Sequence, residues 1–485
     1  MDSDTAVVDS AAQKTNSPYG WIGTQTIKTR LGDFTFKGGY PSDSAVSKLS
    51  EMLVFNRAVE VYLNQMHAVS WYNVWKGTTN AGNAKPNQLV VWETLMDAET
   101  LLLTGNTETV YALAGIDLKR DGPVVIEVPA MMLGGLSDMW QSEIAGIGPT
   151  GVDKGKGGRF LLVPPAYSGS VPKGYPVLKC TTFKVVLGVR GFLQEGKPDK
   201  AVALMKAMKI YPLAQAAKPP VMTFVNGSHR EVKTVFADNF SFFEDLALLV
   251  QQEPAEKLTT EEKFLLASIG IEKGKSFTPN AHRKTLLDEV AQVASAVARV
   301  NSFASTDSAR LVYPDRRWEW IFIGGSASWD SQGYVNTDRR AAFAYIAIGM
   351  SPAMVMKIVG GGSQYLSTPR DANGAFLEGD KSYHLHIPPN IPVKNFWSIV
   401  VYDAVSRSLL RNGEPFPSIS QYTGPQKNVD GSYDVYFGPV SPNGKEKNWI
   451  KTVPGKGWFV LFRFYGPLEP FFDKTWKPDD LVKVE

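Results

Sequence analysis

Strict alternation of apolar and polar residues near the C-terminus constrains the fold more than any other feature. Residues 383–387 read Tyr-His-Leu-His-Ile. This period of two predicts a β-strand with apolar side chains on one face and the imidazoles of His384 and His386 on the other. Residues 396–403 form a nearly continuous apolar run that ends in Asp403, as expected for a strand buried on both faces. We therefore expect a terminal β domain with two histidines beside its core and an aspartate at the end of a neighbouring strand.

Length and composition narrow the class of protein. A chain of 485 residues is too long for one hydrophobic core and is expected to form two or three domains. Its 43 Gly, 31 Pro and 11% aromatic residues favour a β-rich chain with many turns. A net charge of +3 is too small to attract nucleic acid, so we predict no nucleic-acid partner. The single cysteine, Cys180, excludes an intramolecular disulfide and a multi-cysteine metal site.

The sequence contains no run of ~20 uninterrupted apolar residues, so no membrane span is predicted. Residues 1–18 are polar and are predicted to be disordered. They contain no basic region followed by an apolar segment, so this sequence shows no signal peptide. A mature chain whose signal was removed and a cytosolic start both fit this N-terminus.

The pattern along the chain predicts an α+β protein, mainly β, with two β-rich barrel or sandwich domains joined by a helical middle segment. Short strands separated by Gly and Pro turns indicate the β domains, and an Asp-Gly-Pro turn at residues 121–123 indicates a hairpin. Helical spacing predicts helices over residues 42–76 and 198–211, among others. The predicted boundaries are 1–18 (disordered N-terminus), 19–195 (N-terminal helix plus β-rich domain), 196–335 (helical connecting region) and 336–485 (C-terminal β domain).

No motif for a known cofactor is present. The chain has no P-loop, dinucleotide-binding fingerprint, HExxH, nucleophile elbow or EF-hand loop, and we predict no cofactor. The spacing of His384 and His386 lets two imidazoles reach one metal, with Asp403 or Asp338 as a third ligand. The alternative, histidines that face solvent or bond to a backbone group, outweighs this reading, so we predict no metal. An acid–base role for one histidine, tuned by a carboxylate, stays open.

Two polar groups in the N-terminal part are candidate ligand sites. Asn106, Glu108 and Tyr111 lie beside small and apolar residues, and a carboxylate near a phenol suits a hydroxylated ligand or acid–base catalysis. The alternative is a turn in which the asparagine caps backbone groups. Asp138 and Trp140 place a carboxylate beside a large flat ring, which suits a carbohydrate or an aromatic ligand. A Trp buried in the core with a hydrogen-bonded indole explains them equally well.

Two further candidates lie in the C-terminal part. Arg339 and Arg340 stand at a predicted helix start, where an arginine suits a carboxylate ligand or an inter-domain salt bridge. Trp397 lies in a Phe-Trp-Ser run. Its ring suits either a ligand-binding wall or the domain core, and the core reading is favoured.

Motifs over most of the chain resemble those of bacterial and viral proteins that join domain of unknown function 1254 to domain of unknown function 1214. The first domain's motifs correspond to Asn-Thr-Glu-Thr-Val-Tyr (106–111), Ile-Asp-Leu (116–118), Gly-Pro-Val-Val-Ile-Glu-Val-Pro (122–129) and Asp-Met-Trp (138–140). The second domain's motifs correspond to residues 383–388, 396–398, 402–403, 430–432, 448–449, 465–467 and 476–478. These stretches follow one another in the family's order.

The resemblance implies two β-rich domains, the second jelly-roll-like, joined by helices and often assembled as an oligomer. It favours a periplasmic or secreted location, and it implies no established substrate. Glu108 stands where the family usually has Asp. Its extra methylene moves the carboxylate by about 1.5 Å, and this shift would affect a catalytic role that requires a fixed geometry. His386 belongs to the second domain's motif and His384 does not, so His386 is the better candidate.

We expect an enzyme, a hydrolase or lyase-type protein that acts on a polar small molecule or glycan in a cleft between the β domains. The catalytic candidates are Glu108, Tyr111, His386 and Asp403, and the substrate-binding candidates are Asn106, Asp138, Trp140, Arg339 and Trp397. The competing hypothesis is a non-catalytic ligand-binding or envelope-associated protein that forms a homo-oligomer. A separation of more than ~15 Å between Glu108 and His386 would exclude a shared site.

Overall fold

The computed structural model of the protein describes residues 23–484. The predicted disorder of residues 1–18 lies outside this part of the chain. Helix accounts for 28% of the structure and strand for 30%, which confirms the α+β class. No helix among the described residues is both long and apolar enough to cross a membrane.

The chain enters through a small sheet and a long helix. Strands β1 (Thr24–Thr29), β2 (Gly32–Lys37) and β3 (Tyr40–Pro41) form an antiparallel sheet. Helix α1 (Asp43–Ala81) follows, and the hydroxyl of Ser42 accepts a hydrogen bond from the N–H of Ala45 at its start. All side chains from residue 65 to 74 are buried, because this part of the helix runs through the protein's interior.

The N-terminal β domain is a sandwich of two sheets. Its elements are β4 (Gln88–Val91), β5 (Thr100–Leu101), β6 (Thr109–Asp117), α2 (Leu118–Asp121), β7 (Val124–Val128), β8 (Leu133–Asp138), β9 (Glu143–Ile147), β10 (Gly158–Val163), β11 (Val177–Lys179), β12 (Lys184–Phe192), α3 (Asp199–Lys206), β13 (Lys209–Pro212), β14 (Thr223–Asn226) and β15 (Val232–Lys233). A six-stranded sheet of order β14-β4-β6-β12-β8-β9 packs on a four-stranded sheet of order β11-β10-β7-β13.

Two local predictions in this domain are wrong. The turn at residues 121–123 does not close a hairpin, because Asp117 caps the one-turn helix α2 and the flanking strands β6 and β7 enter different sheets. The predicted helix over 198–211 ends at Lys206. Ile210 and Tyr211 continue instead as strand β13, where pairing with β7 buries both side chains. β-branched and aromatic residues favour this outcome.

Helices fill the middle of the chain. They are α4 (Ser241–Gln252), α5 (Thr260–Ser268) and α6 (Ala281–Phe303), followed by β16 (Glu319–Trp320), β17 (Asp330–Ser331), β18 (Tyr334–Val335), α7 (Thr337–Ile346) and α8 (Pro352–Val355). Helices α4, α6 and α7 pack on α1. Their shared core also takes up one face of the six-stranded sheet and one face of the large C-terminal sheet.

The C-terminal β domain is a second sandwich. Its elements are β19 (Ser363–Thr368), β20 (Ser382–Ile387), β21 (Val393–Asp403), β22 (Ser418–Ser420), β23 (Tyr433–Gly438), β24 (Trp449–Lys451), β25 (Trp458–Pro467), α9 (Glu469–Phe472) and β26 (Val482–Val484). A five-stranded sheet of order β16-β19-β25-β21-β22 packs on a four-stranded sheet of order β24-β23-β20-β26. None of the sheets within residues 23–484 closes into a barrel.

The opening alternation is confirmed, with one correction. Tyr383, Leu385 and Ile387 face the sandwich core, and the two histidines between them face outwards. Asp403 does not lie on a neighbouring strand, because β20 and β21 belong to opposite sheets of the sandwich. The domain boundaries at 195/196 and 335/336 stay a prediction. Of the strands that lie between them, β13 and β14 belong to sheets of the N-terminal sandwich, and β16 belongs to the five-stranded sheet of the C-terminal sandwich.

Candidate functional site

The six-stranded sheet and the five-stranded sheet bring a group of polar side chains together between the two sandwiches. Tyr111 on β6 and Arg190 on β12 are direct cross-strand partners and share one face of their sheet. Arg190 Nη2 donates to Ser363 Oγ on β19 at 3.1 Å, and its guanidinium lies 5.7 Å from the ring centre of Tyr465 on β25. We call the following residues the inter-sheet cluster: Asn106, Glu108, Tyr111, Arg190, Tyr365, Tyr402, Arg463 and Tyr465.

Arg463 is the more enclosed of the cluster's two guanidinium groups, with only 5% of its surface exposed. Its Nη2 donates to the carbonyl of Thr104 and to the hydroxyl of Tyr402, each at 2.7 Å. Its guanidinium also lies 5.3 Å from the ring centre of Tyr365, its cross-strand partner. Nε of Arg463 has no hydrogen-bond partner among the described residues. A buried donor without a partner is costly, so this atom points to a missing acceptor.

The two guanidinium groups are not balanced by carboxylates. Neither Arg190 nor Arg463 forms an ion pair with an Asp or Glu of residues 23–484, and the groups that act most strongly on them are phenols. For Arg463 these are Tyr402 and Tyr465, whose influence outweighs burial and keeps the pKa of the guanidinium above its usual value. Both arginines therefore remain charged in a region of low dielectric.

Tyr111 differs from the other phenols of the cluster. Burial alone would raise the pKa of Tyr111, but the adjacent guanidinium of Arg190 and the nearby Arg463 outweigh it and lower this pKa. Burial prevails at Tyr402, where it raises the pKa to about 12, and it also raises the pKa of Tyr465. Of Tyr111, Tyr402 and Tyr465, Tyr111 is thus the phenol that ionises most readily.

Glu108 lies in the loop before β6 and has the opposite shift. Burial raises the pKa of this carboxyl, and hydroxyl groups and Arg463 only partly oppose the effect. Oε1 of Glu108 accepts from Thr107 Oγ1 at 2.9 Å and from Ser418 Oγ at 3.2 Å. Asn106 fixes the loop, since its Oδ1 accepts from the N–H of Glu108 at 2.7 Å and its amide donates to Tyr465.

Three sequence candidates therefore meet in one site, and several neighbours were not predicted. Asn106, Glu108 and Tyr111 belong to the cluster, whereas Arg190 and Arg463 were missed. A signal for Arg463 was present: it interrupts the apolar strand Phe-Val-Leu-Phe-Arg-Phe-Tyr at residues 459–465. A long cation in the middle of a buried strand is rare without a partner.

The structure does not bring His386 to Glu108. His386 Nδ1 and His384 Nε2 lie 2.8 Å and 3.0 Å from Oδ1 of Asp434, on the outer face of the four-stranded sheet. Glu108 instead contacts Ser418, on the outer face of the five-stranded sheet. Two sheets that pack about 10 Å apart lie between them, so their side chains are more than ~15 Å apart. The expectation of one shared site is corrected for this reason.

Asp403 lies elsewhere again, at the end of β21. Its Oδ1 accepts from the N–H groups of Val405 and Ser406 at 2.7 Å and 2.9 Å, and its other oxygen pairs with Lys456. Burial would raise the pKa of Asp403, but Lys456 and the turn N–H groups lower it. The carboxylate borders a surface pocket of about 200 Å³ that Arg411 also lines. This position fits a turn that Asp403 stabilises.

The four remaining candidates also lie away from the cluster. Asp138 accepts from the N–H of Trp140 at 2.9 Å and pairs with Lys257, while the Trp140 indole donates to Gln65. Arg339 pairs with Asp307 through Nε at 2.6 Å. Trp397 is buried in the C-terminal sandwich against Tyr433 and Phe462. These contacts occupy the polar groups that a substrate would need, and the substrate-binding role of the four side chains stays a prediction.

No group of three or more His, Cys, Asp or Glu side chains within the described part of the chain is arranged to hold a metal ion. His384, His386 and Asp434 come nearest to such a group, but their polar atoms bond to one another. Oδ1 of Asp434 bonds to one nitrogen of each imidazole, and Asn428 donates to Oδ2 at 2.9 Å.

Comparison with known proteins agrees with the motifs. Residues 86–212 match the model of a family described as protein of unknown function (DUF1254), and residues 362–469 match that of protein of unknown function (DUF1214). No curated protein matches the chain. The crystal structure of the VPA0106 protein from Vibrio parahaemolyticus is similar, with a TM-score of 0.54 and 19% identity over 89% of this chain and 100% of that one. It shows a shared fold.

A second crystal structure, of a putative uncharacterized protein from Burkholderia cenocepacia, has a TM-score of 0.41 and 13% identity over 91% of this chain and 97% of that one. Neither structure's description names an activity or a ligand. The N-terminal and C-terminal matches lie on the two sandwiches, in the order that the motifs predict. In its two sandwich domains the chain therefore resembles the proteins that combine an N-terminal DUF1254 domain with a C-terminal DUF1214 domain.

Proposed function

We propose that the protein is an enzyme that binds a small anionic molecule at the inter-sheet cluster. The observation that carries this proposal is the pair of guanidinium groups, of Arg190 and Arg463, that no carboxylate balances. Buried charges in proteins are normally paired, because an isolated charge in a low-dielectric interior is costly. A bound carboxylate or phosphate would supply the missing charge, and it would give Nε of Arg463 an acceptor.

The surroundings favour a small molecule over a glycan chain. Tyr402, Tyr465 and Asn106 are at most 2% exposed, so they close the inner side of the cluster. Tyr111 and Arg190 are half-buried and keep accessible surface. A ligand would therefore approach from the side of the six-stranded sheet, and the enclosed inner part would hold only its anionic end.

The acid–base groups favour an enzyme over a protein that only binds. The two guanidinium groups lower the pKa of Tyr111. Burial raises the pKa of Glu108, so the two pKa values lie closer together than those of a free phenol and a free carboxyl. A phenol with a lowered pKa in the same cluster as a carboxyl with a raised pKa is an arrangement that suits acid–base catalysis. The competing function is reversible binding of the same anion without turnover. The prediction of a homo-oligomer is tested separately, by measuring the protein's mass in solution.

The test is a calorimetric titration with phosphate, malonate, succinate and citrate. We expect at least one of these anions to bind the wild type and Arg190→Gln to weaken that binding at least about tenfold, because hydrogen bonds to charged groups contribute about 1.5–3 kcal/mol. The matched control is Arg159→Gln, an exposed arginine of β10 that pairs with Glu127 on the far sheet of the same sandwich. Equal binding by wild type and Arg190→Gln, or no binding of any anion by the wild type, would refute the proposal.

A further inference from the structure

We propose that the reaction at the inter-sheet cluster is an elimination: Tyr111 removes a proton from the carbon next to a bound carboxylate, and a group on the next carbon leaves. This inference rests on the proposed function, since it needs the anion site. The substrate class is a small carboxylate with a hydroxyl or alkoxy group at its β carbon. The position of Tyr111 relative to the two arginines is the main argument.

Tyr111 is placed to act on a ligand that the arginines hold. It is the direct cross-strand partner of Arg190, so its phenol projects from the same face of β6 and β12 towards β25. Two other phenols are already engaged: Tyr402 donates to the carbonyl of Gly105 at 2.6 Å and accepts from Arg463, and Tyr465 accepts from Asn106. We therefore assign the substrate to Tyr111, the phenol beside the guanidinium of Arg190.

The arginines explain why a carbon-bound proton could be removed here. When a carbon next to a carboxylate loses a proton, the new negative charge spreads onto the carboxylate oxygens. Two fixed guanidinium groups in a site of low dielectric stabilise that charge more than water would, and they need no reorganisation to do so. The same cations favour the phenolate form of Tyr111, so one electrostatic arrangement serves the base and the intermediate.

Glu108 supplies the second proton. Its carboxyl is held by Thr107 and Ser418 through Oε1, and burial keeps it protonated to higher pH than usual. The step balances as follows. The phenolate oxygen takes the proton, the C–H electron pair forms the carbon–carbon double bond, and the leaving oxygen departs with its own electron pair and takes the proton of Glu108. The products are an unsaturated carboxylate and water or an alcohol, and proton exchange with solvent restores both side chains.

Elimination fits these groups better than hydrolysis. Hydrolysis needs a base that activates water or a nucleophile that attacks a carbonyl. The raised pKa of Glu108 favours the role of a proton donor, and none of the eight residues of the cluster is a Ser, Cys or His. Of the two reaction types expected from the sequence, we therefore select the lyase type.

The experiment separates binding, proton removal and elimination. The protein is incubated in heavy water with the anions that bind and with β-hydroxybutyrate, and NMR follows loss of the proton next to the carboxylate. A second assay follows the ultraviolet absorbance of the conjugated double bond. We expect wild type to exchange the proton of at least one bound carboxylate, and Tyr111→Phe to exchange it at least about 100-fold more slowly while binding is kept, as general base catalysis contributes about 10²–10⁴-fold.

Two variants complete the design. Glu108→Gln is expected to keep proton exchange and to lose formation of the double bond, because an amide cannot protonate the leaving group. Tyr167→Phe, a tyrosine outside the cluster whose hydroxyl bonds to Ser170, is the control that keeps both activities. If wild type binds an anion but exchanges no proton, the elimination is refuted and the binding proposal stands. If no anion binds, the proposed function has failed first.

A measurement without turnover tests the base directly. In an alkaline titration, the ultraviolet absorbance of tyrosinate should show one phenol of the wild type that ionises before the others. This early phase should be absent from Tyr111→Phe and present in Tyr167→Phe. Identical titration curves for wild type and Tyr111→Phe would contradict the role of Tyr111 as base.

Discussion

The two outer faces of the C-terminal sandwich carry polar clusters of opposite character. On one face, Asp434 accepts from His384, His386 and Asn428; we call these four residues the outer-face cluster. On the other face lies the inter-sheet cluster, with two guanidinium groups and no carboxylate that pairs with them. The outer-face cluster satisfies itself with one carboxylate and stays partly open to solvent. The inter-sheet cluster leaves both guanidinium groups without a carboxylate partner, and most of its side chains are buried.

This difference shows which feature indicates function. The outer-face cluster has the residue types of many catalytic sites, but solvent screens its charges and both oxygens of its carboxylate already have hydrogen-bond partners. The inter-sheet cluster contains tyrosines and arginines, which are common in protein cores and interfaces. Its charge is unmatched in a place where charge interactions are strong, because the dielectric is low. Unmatched charge, and not residue type, distinguishes the candidate site.

The largest effect on stability is expected from Arg463. Arg463→Ala should lower the free energy of unfolding by about 3–5 kcal/mol, because it leaves a cavity and removes the donor that the Thr104 carbonyl and Tyr402 share. His386→Ala should lower it by less than about 1 kcal/mol, since the hydrogen bond of His386 to Asp434 is open to solvent. Urea unfolding of both variants measures the comparison. Equal losses would show that the two clusters do not differ as described.

A smaller effect on the free energy of unfolding, with a defined pH dependence, is expected from substitution of Glu108. The folded-state pKa of Glu108 is raised above its unfolded value, so the wild type binds an extra proton on folding, and this linkage makes it less stable as pH rises from about 4.5. Glu108→Gln removes the titrating group and keeps its shape. The variant should therefore gain stability relative to wild type as pH rises.

The measurement is thermal or urea unfolding of Glu108→Gln and wild type from acid to neutral pH. Glu143→Gln is a useful reference, because burial also raises the pKa of Glu143 and no other group contributes. A constant stability difference between Glu108→Gln and wild type over this range would show that Glu108 titrates normally, and it would remove the acid from the proposed elimination.

The sequence predicted the fold well where the signal was local. The alternation at residues 383–387 and the helical spacing over residues 42–76 are short-range patterns, and the structure contains strand β20 and helix α1 there. The errors arose where tertiary pairing decides. Residues 209–212 follow a helix closely enough to extend its pattern, but pairing with β7 makes them a strand. A local sequence pattern cannot indicate this partner strand, because β7 is distant in the sequence.

The candidate site could be predicted only in part for the same reason. Asn106, Glu108 and Tyr111 lie in one short motif, so a single stretch of sequence revealed them together. Arg190 and Arg463 come from different domains and meet only because two sheets face each other. Their lack of a carboxylate partner is a property of the assembled protein, which no strand pattern reveals. His386 was overestimated because its type suits catalysis, whereas its position lies on the solvent side.

The smallest effect is expected from the outer-face cluster itself. Burial would raise the pKa of Asp434, but hydrogen bonds from His386, Asn428 and His384 outweigh it and lower this pKa. A depressed carboxyl pKa contributes stability above its unfolded value and loses it as pH falls through the folded value. Asp434→Asn should therefore cost less than about 1 kcal/mol near neutral pH, less in high salt, and nothing once acid protonates the wild-type carboxyl. Urea unfolding at two pH values and two salt concentrations measures this difference in the free energy of unfolding. A loss of stability as large as that of Arg463→Ala would mean that the outer face also holds an enclosed charge.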